Sequence, residues 1–171
     1  MSSSLKVSLV MGSKSDLAVM KFSGLLLDEL EIEYEVRVLS AHRTPDALFD
    51  YVASAPARGV QIFIAAAGLA AHLPGVLASK THLPVLGVPL QVGALSGVDA
   101  LLSMVQMPGG IPVGTFGVGK AGAKNAAVFA ARMLALSDDK LAARLQSFTS
   151  NMKETLLVDD GKISLDELRK S

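Results

Sequence analysis

Five short strand-like runs, at residues 7–11, 34–39, 61–66, 85–88 and 113–116, alternate along this chain with segments of helical spacing. Runs this short cannot make helices of useful length, and strands separated by helices must be joined by crossovers. The economical solution is a parallel sheet with helices packed on both faces. Five strands predict an α/β three-layer sandwich of the flavodoxin-like kind, strand order 2-1-3-4-5, whose switch point lies between the first and third strands. Ligands bind there, outside the carboxyl ends of the strands.

Helical segments fill the intervals. Leu17, Met20, Phe22, Leu25, Leu26 and Leu30 give the first a broad apolar face. Pro45 suits the first turn of the second, which runs through Leu48, Phe49 and Val52. Further helices are expected over 74–80, 97–105 and 121–136. Ser137-Asp138-Asp139 opens one more, over 138–152. Residues after Lys153 are charged and lack strand character. The expectation is one α/β domain over 1–171 with a C-terminal helical extension. Its last part, about 153–171, is a tail or an arm lying on a neighbour.

Half of the 171 residues are hydrophobic and the mean hydropathy is +0.44. No apolar run is long enough to span a bilayer without Gly, Pro or polar interruption, so no membrane partner is expected. So apolar a chain is expected to bury surface in a homo-oligomer. Residues 121–136 are small or apolar almost all round, the pattern of a helix buried on every side. Ala126, Ala127, Ala130 and Ala131 are expected to let this helix pack closely between subunits; an ordinary helix under the fifth strand is the competing reading. Sixteen basic residues balance sixteen acidic ones, against nucleic-acid binding. There is no cysteine, which removes disulfides, thiol nucleophiles and cysteine metal sites. Residues 1–5 lack a secretory layout, so a cytoplasmic protein is expected.

Three loops follow strands and carry chemistry. Gly12-Ser13-Lys14-Ser15-Asp16 leaves the first strand and enters a helix. Its amides and the hydroxyls of Ser13 and Ser15 suit an anion, while Asp16 suits sugar hydroxyls; plain capping by Ser15 or Asp16 is the competing reading. Ser40-Ala41-His42-Arg43-Thr44-Pro45 leaves the second. Arg43 can pair with a phosphate, and His42 supplies a group that changes charge near neutral pH. A surface ion pair and a structural histidine are their alternatives. The third loop, residues 65–75, is rich in small residues, among them Gly68, that let backbone approach a flat ring. His72 within it either bonds a ligand or caps a turn. His82, before the fourth strand, belongs to the opposite end of the sheet.

Two glycine patterns are set aside. Gly114 to Lys120 has the spacing of a nucleotide P-loop, but Ala121 stands where Mg²⁺ needs Ser or Thr. Gly117, Gly119 and Gly122 fit a dinucleotide fingerprint, but no later strand supplies the acidic ribose ligand. Close packing at the start of the long helix explains them better. No nucleophile elbow, HExxH or EF-hand spacing occurs, so no metal and no cofactor are expected.

The order of these stretches carries a resemblance. Gly12-Ser-Lys-Ser-Asp16, Ser40-Ala-His-Arg-Thr-Pro45, Ala71-His-Leu-Pro-Gly75, Gly87-Val-Pro89, Ala94-Leu-Ser-Gly97, Val105-Gln-Met-Pro108, Gly119-Lys-Ala-Gly-Ala123 and Asn125-Ala-Ala127 occur in sequence. Over residues 7–136 the chain resembles the class I N5-carboxyaminoimidazole ribonucleotide mutases, the phosphoribosylaminoimidazole carboxylase catalytic subunit family. The resemblance implies a flavodoxin-like octamer of purine biosynthesis that moves a carboxylate from the exocyclic nitrogen of an aminoimidazole ribonucleotide to a ring carbon, without metal, ATP or redox cofactor. It implies His42 as catalytic acid and base, with Ser13, Asp16, Ser40, Arg43, Gly68 and His72 on the substrate. One departure stands out: the family usually has Gly-Gly-Ala-Ala-His, and this chain has Leu69 at the second position. If Leu69 points into the pocket ring binding changes; if it points into the core nothing does. The rival readings are a class II carboxylase taking free CO₂ and a non-catalytic nucleotide-sensing module. A flavin electron carrier is disfavoured by the lack of Trp and the presence of only two Tyr.

Overall fold

The computed structural model describes residues 5–158 and 164–170. Five parallel strands form one sheet in the order β2-β1-β3-β4-β5, as the alternation predicts. They are β1 (Val7–Met11), β2 (Tyr34–Val38), β3 (Ile62–Ala67), β4 (Val85–Pro89) and β5 (Gly114–Thr115). The helices between them are α1 (Leu17–Glu29), α2 (Pro45–Ser54), α3 (Leu73–Ala78), α4 (Val98–Val105) and α5 (Lys120–Ala135), followed by α6 (Asp139–Leu157) and α7 (Leu165–Lys170).

Burial explains which strands were easiest to read. Strands β1, β3 and β4 are buried along their whole length, so both faces are apolar but for Ser8 of β1. The edge strand β2 alternates charged residues with Val36 and Val38 and is half-buried or exposed. The other edge, β5, is only two residues long, shorter than the expected run over 113–116. Register does the work of assembling a site. Met11 pairs with Val38 on one side and Ala66 on the other, so the three loops that follow leave the sheet at one level.

The two faces carry separate cores. Met20, Leu27 and Leu30 pack with the α5 alanines on one side, and Leu48, Phe63, Leu77 and Met104 meet on the other. The expectation that α5 is buried between subunits fails for its alanines. Ala126, Ala127, Ala130 and Ala131 are fully buried inside the chain, where α5 lies against α1 and α6 and over the sheet. Ser23 Oγ donates to the Ala123 carbonyl at 2.8 Å in the α1–α5 seam. Small side chains serve close approach to the chain's own helices; the large apolar side chain that α5 turns outward is Phe129, 45% exposed. Helix α6 also runs on to Leu157, past the expected end at Met152, and residues 151–158 are all exposed. Of the arm expected over 153–171, residues 153–157 and 165–170 are helical. Residues 159–163 and 171 lie outside the described residues. Among the described residues no helix is long and apolar enough to cross a membrane.

A polar staple ties β1, β2 and α2 together. Tyr51 Oη donates to Glu35 Oε1 at 2.6 Å, so the fully buried Ser8 hydroxyl donates to Tyr51 Oη at 2.5 Å. Arg58 pairs with Glu35 at 2.9 Å, and the guanidinium carbons of Arg37 and Arg58 sit 4.9 and 4.7 Å from the Tyr51 ring centre. Burial, reinforced by the bond to Glu35, pushes the Tyr51 phenol up to about 12. Burial alone would raise Glu35, but the bonds from Tyr51 and Arg58 and the charges of Arg58 and Arg37 outweigh it and hold the carboxyl below 4.5.

These shifts set the stability profile. The raised phenol contributes stability that is whole below pH 10 and is lost as pH climbs toward about 12. The lowered Glu35 contributes stability present above pH 4.5 and lost as pH falls through its folded value. Tyr51→Phe leaves Ser8 buried without its partner, at a cost of about 1–3 kcal/mol. Urea denaturation at pH 7 measures that loss, and a series above pH 10 should show the variant's dependence flattened.

Candidate active site

In the first loop, Ser13 is extended (φ −151°) and caps a single 3-10 turn, residues 14–16, that leads into α1. Its Oγ accepts from the Ser15 amide at 3.3 Å and the Ser15 hydroxyl at 2.9 Å. Asp16 reaches back and accepts from the Ser13 amide at 2.9 Å. The cap is therefore Ser13, with Asp16 closing the box, rather than Ser15 or Asp16 alone. The closed box occupies the Ser13 and Ser15 amides, so an anion here depends on side chains more than the sequence implied. Burial pushes the Asp16 carboxyl up, and the Ser13 amide, Ser15 hydroxyl, Gly12 amide and Arg43 charge offset it only in part.

The second loop starts where Leu39 donates to the Met11 carbonyl at 2.9 Å, one bond beyond the β1–β2 ladder. It is then wound on itself. The Ser40 amide donates to Thr44 Oγ1 at 3.0 Å, and Thr44 Oγ1 returns a bond to the Ser40 carbonyl at 3.2 Å. Ser40 Oγ accepts from the Arg43 amide at 3.2 Å and from Nε at 3.4 Å. A terminal nitrogen of Arg43 donates to the Gly12 carbonyl. The guanidinium therefore spans the first two loops, and its bonds go to a carbonyl and a hydroxyl, not to the carboxylate of a surface ion pair.

The third loop completes the set. His42 Nε2 and His72 Nδ1 are 2.7 Å apart, their rings edge to face with centres 4.9 Å apart. Since β1 lies between β2 and β3, this bond crosses the carboxyl end of β1. Two imidazoles joined in this way share one proton along the bond, which fixes the tautomer of each by the other.

Ser13, Asp16, Ser40, His42, Arg43, Gly68 and His72 all line one cleft of about 300 Å³, so the structure gathers every site residue expected from sequence. A second hollow, about 430 Å³, shares Gly12, Ser13, Ser40 and Arg43 and adds Lys14 and Thr44. His82 lies just ahead of β4, at the far end of the sheet, as expected. Leu69 is not in the core: it has φ +57°, is half exposed and lines the cleft. Sequence reasoning missed Lys14 and Val92. Lys14 stood inside the first motif, and its cation was the available signal. Val92 follows β4, the strand beside β3, and topology alone marks that loop as a neighbour. Among the described residues no group of three or more His, Asp or Glu side chains is placed to hold a metal ion.

Known proteins share this fold. The AIR carboxylase family profile matches residues 6–155. The N5-carboxyaminoimidazole ribonucleotide mutases of Pseudomonas aeruginosa and Bacillus subtilis are each 54% identical over 151 residues, covering 88% of this chain and 93% of theirs. The Haemophilus influenzae mutase is 54% identical over 157 residues, covering 92% and 96%. Among solved structures, Treponema denticola PurE superposes with a TM-score of 0.83 at 27% identity, over 93% of this chain and 98% of that one.

Proposed function

We infer the function from one premise: this chain belongs to the AIR carboxylase family. It is a mutase of purine biosynthesis, converting N5-carboxyaminoimidazole ribonucleotide to 4-carboxy-5-aminoimidazole ribonucleotide. The observation that carries the reading beyond relatedness is the His42–His72 bond over a cleft that opens toward Arg43 and Lys14. A phosphorylated substrate with a proton to move needs both halves.

In the proposed arrangement the phosphate lies in the outer hollow against Arg43, Lys14 and the Ser13 hydroxyl. Asp16 and Ser40 take the ribose, and the imidazole ring reaches the Gly68 backbone and His72. Protonated His42 delivers its proton to the exocyclic nitrogen as the carbamate C–N bond breaks and CO₂ is freed in the cleft. The ring carbon attacks that CO₂, forming the new C–C bond. His42 then takes the proton from this ring carbon and returns to its starting state. The sequence balances with one histidine and consumes no ATP. An assay of purified protein with the carbamate nucleotide and no ATP tests it: carboxylated product is expected. Turnover only with aminoimidazole ribonucleotide and bicarbonate would instead mark the class II carboxylase, and ligand binding without turnover the sensing module.

We further propose a cytoplasmic homo-oligomer, an octamer by family resemblance. A charged nucleotide does not cross a bilayer unaided, which keeps the enzyme with its substrate. The surface offered for assembly is α4 rather than α5. Val98, Leu102 and Val105 are spaced on one helix face and are each more than half exposed. A stripe of that kind is costly to leave in water. Leu102→Glu should split the assembly, read by light scattering, and should lower activity, because α4 directly follows the loop that carries Val92. An unchanged mass would remove α4 from the interface.

A further inference from the structure

Thr44 stands at the N-cap position of α2, where a threonine hydroxyl ordinarily accepts a bond from an amide of the first turn. Its side chain makes no such bond. The hydroxyl is turned back instead, onto the far end of the loop that carries His42. Its oxygen accepts from the Ser40 amide at 3.0 Å, and its proton goes to the Ser40 carbonyl at 3.2 Å. The Thr44 amide donates to the same carbonyl at 3.0 Å. These bonds close a ring across residues 40–44, and residues 41–43 form an arch above it. Pro45 at the start of α2 has no amide, which leaves one donor fewer at a helix end without its side-chain cap.

The two working side chains on the arch are held differently. Arg43 has anchors of its own: its amide and Nε donate to Ser40 Oγ, and a terminal nitrogen donates to the Gly12 carbonyl. The His42 ring is bonded to His72 across the cleft and, among the described residues, to no group of its own loop. Where the ring stands is therefore set by where the arch puts it. Thr44 also lines the outer hollow, but a hydroxyl has one proton and this one is given to Ser40, so none is left for a phosphate there. We propose that Thr44 is a positioning residue, whose hydroxyl clamps the arch so that His42 meets both His72 and the reacting atoms. The inference deepens the mutase reading above and rests on it. A proton carrier that serves first a nitrogen and then a ring carbon must reach both, and a displacement of about 1 Å can cost about a hundredfold in rate.

Three variants test this while sparing His42, His72 and Arg43. Thr44→Val keeps the branched shape and removes the hydroxyl, Thr44→Ala removes it with less bulk, and Thr44→Ser restores it. With the carbamate nucleotide, the Val and Ala variants are expected to lose about ten- to a hundredfold in kcat with KM within about threefold of the parent's, and the Ser variant to recover most of the rate. Urea midpoints should stay near the parent's, because Thr44 is exposed and water can satisfy the freed Ser40 amide. The second readout needs no turnover: imidazole nitrogen shifts in NMR, which report the nitrogen that carries the proton. In the Val variant those of His42 and His72 should move toward the values of a free imidazole. Those of His82, at the far end of the sheet, should not, and the Ser variant should match the parent. With an active parent, a Val variant that keeps the parent's kcat or the parent's shifts overturns the inference. So does a loss that Ser does not restore, or one that falls on KM, which would make Thr44 a nucleotide contact. A parent that converts nothing overturns the mutase reading, and the shifts then still decide whether Thr44 sets the histidine pair.

Discussion

His42→Asn is expected to lower turnover by about two to four orders of magnitude while leaving the fold and product binding nearly unchanged. The side chain is exposed at the end of β2, outside both cores, so little stability rests on it. Asparagine keeps a polar side chain, but its amide ends short of the Nε2 position, so the 2.7 Å contact to His72 is given up together with the proton carrier. It cannot give a proton to a departing nitrogen and then accept one from carbon. The loss should fall on kcat rather than on KM, because the interaction removed acts on the proton in flight, not on the resting nucleotide. Calorimetry with the carboxylated product and a rate assay on the same sample decide the matter. A variant with the parent's rate would take the acid–base role away from His42. One that also fails to bind product would make His42 a binding group instead.

How much of this was legible in the sequence follows from what periodicity reports. Strands β1, β3 and β4 were plain because both faces are buried, leaving apolar runs, broken in β1 only by Ser8, with sharp ends. Strand β5 was overdrawn. Phe116 makes one bond to the Gly87 carbonyl and the chain then turns toward α5, at an edge with a neighbour on one side only. In α5 the alanine pattern correctly marked buried faces but could not say what buries them. The answer, α1 and α6 of the same chain, depends on how far the C-terminal helix travels. The site residues were legible because loop position follows from strand order. Their mutual contacts were not. Ser13 and Asp16 satisfy each other, Arg43 reaches Gly12, and His42 meets His72 thirty residues away, all set by distances in space rather than along the chain. Leu69 was visible as a departure, yet its place against Gly93 comes only from the adjacency of β3 and β4.

The same reasoning gives the glycines ahead of α5 a structural task with a large expected penalty. A Cβ on Gly122 would stand 1.6 Å from the Gly117 carbonyl oxygen and 2.6 Å from its carbon. Both are backbone atoms, so no rotamer change relieves the conflict; the turn of chain before α5 or the helix itself must move. Helix α5 contributes Ala123, Ala126, Ala127, Ala130 and Ala131 to one core, and shifting it loosens all of them. Gly122→Ala should therefore cost about 3 kcal/mol, the upper end for overpacking by one methyl. Gly109→Ala is the matched control. Its added Cβ meets nothing within 4 Å, and it should stay within about 0.5 kcal/mol of the parent. Urea denaturation measures both. The pair also settles what the glycine pattern is for. Were these glycines cradling a phosphate, Gly122→Ala would weaken nucleotide binding at undiminished stability. As packing glycines, they predict the reverse: a lower unfolding midpoint, and a turnover per folded molecule close to the parent's, because Gly122 lines neither hollow of the cleft.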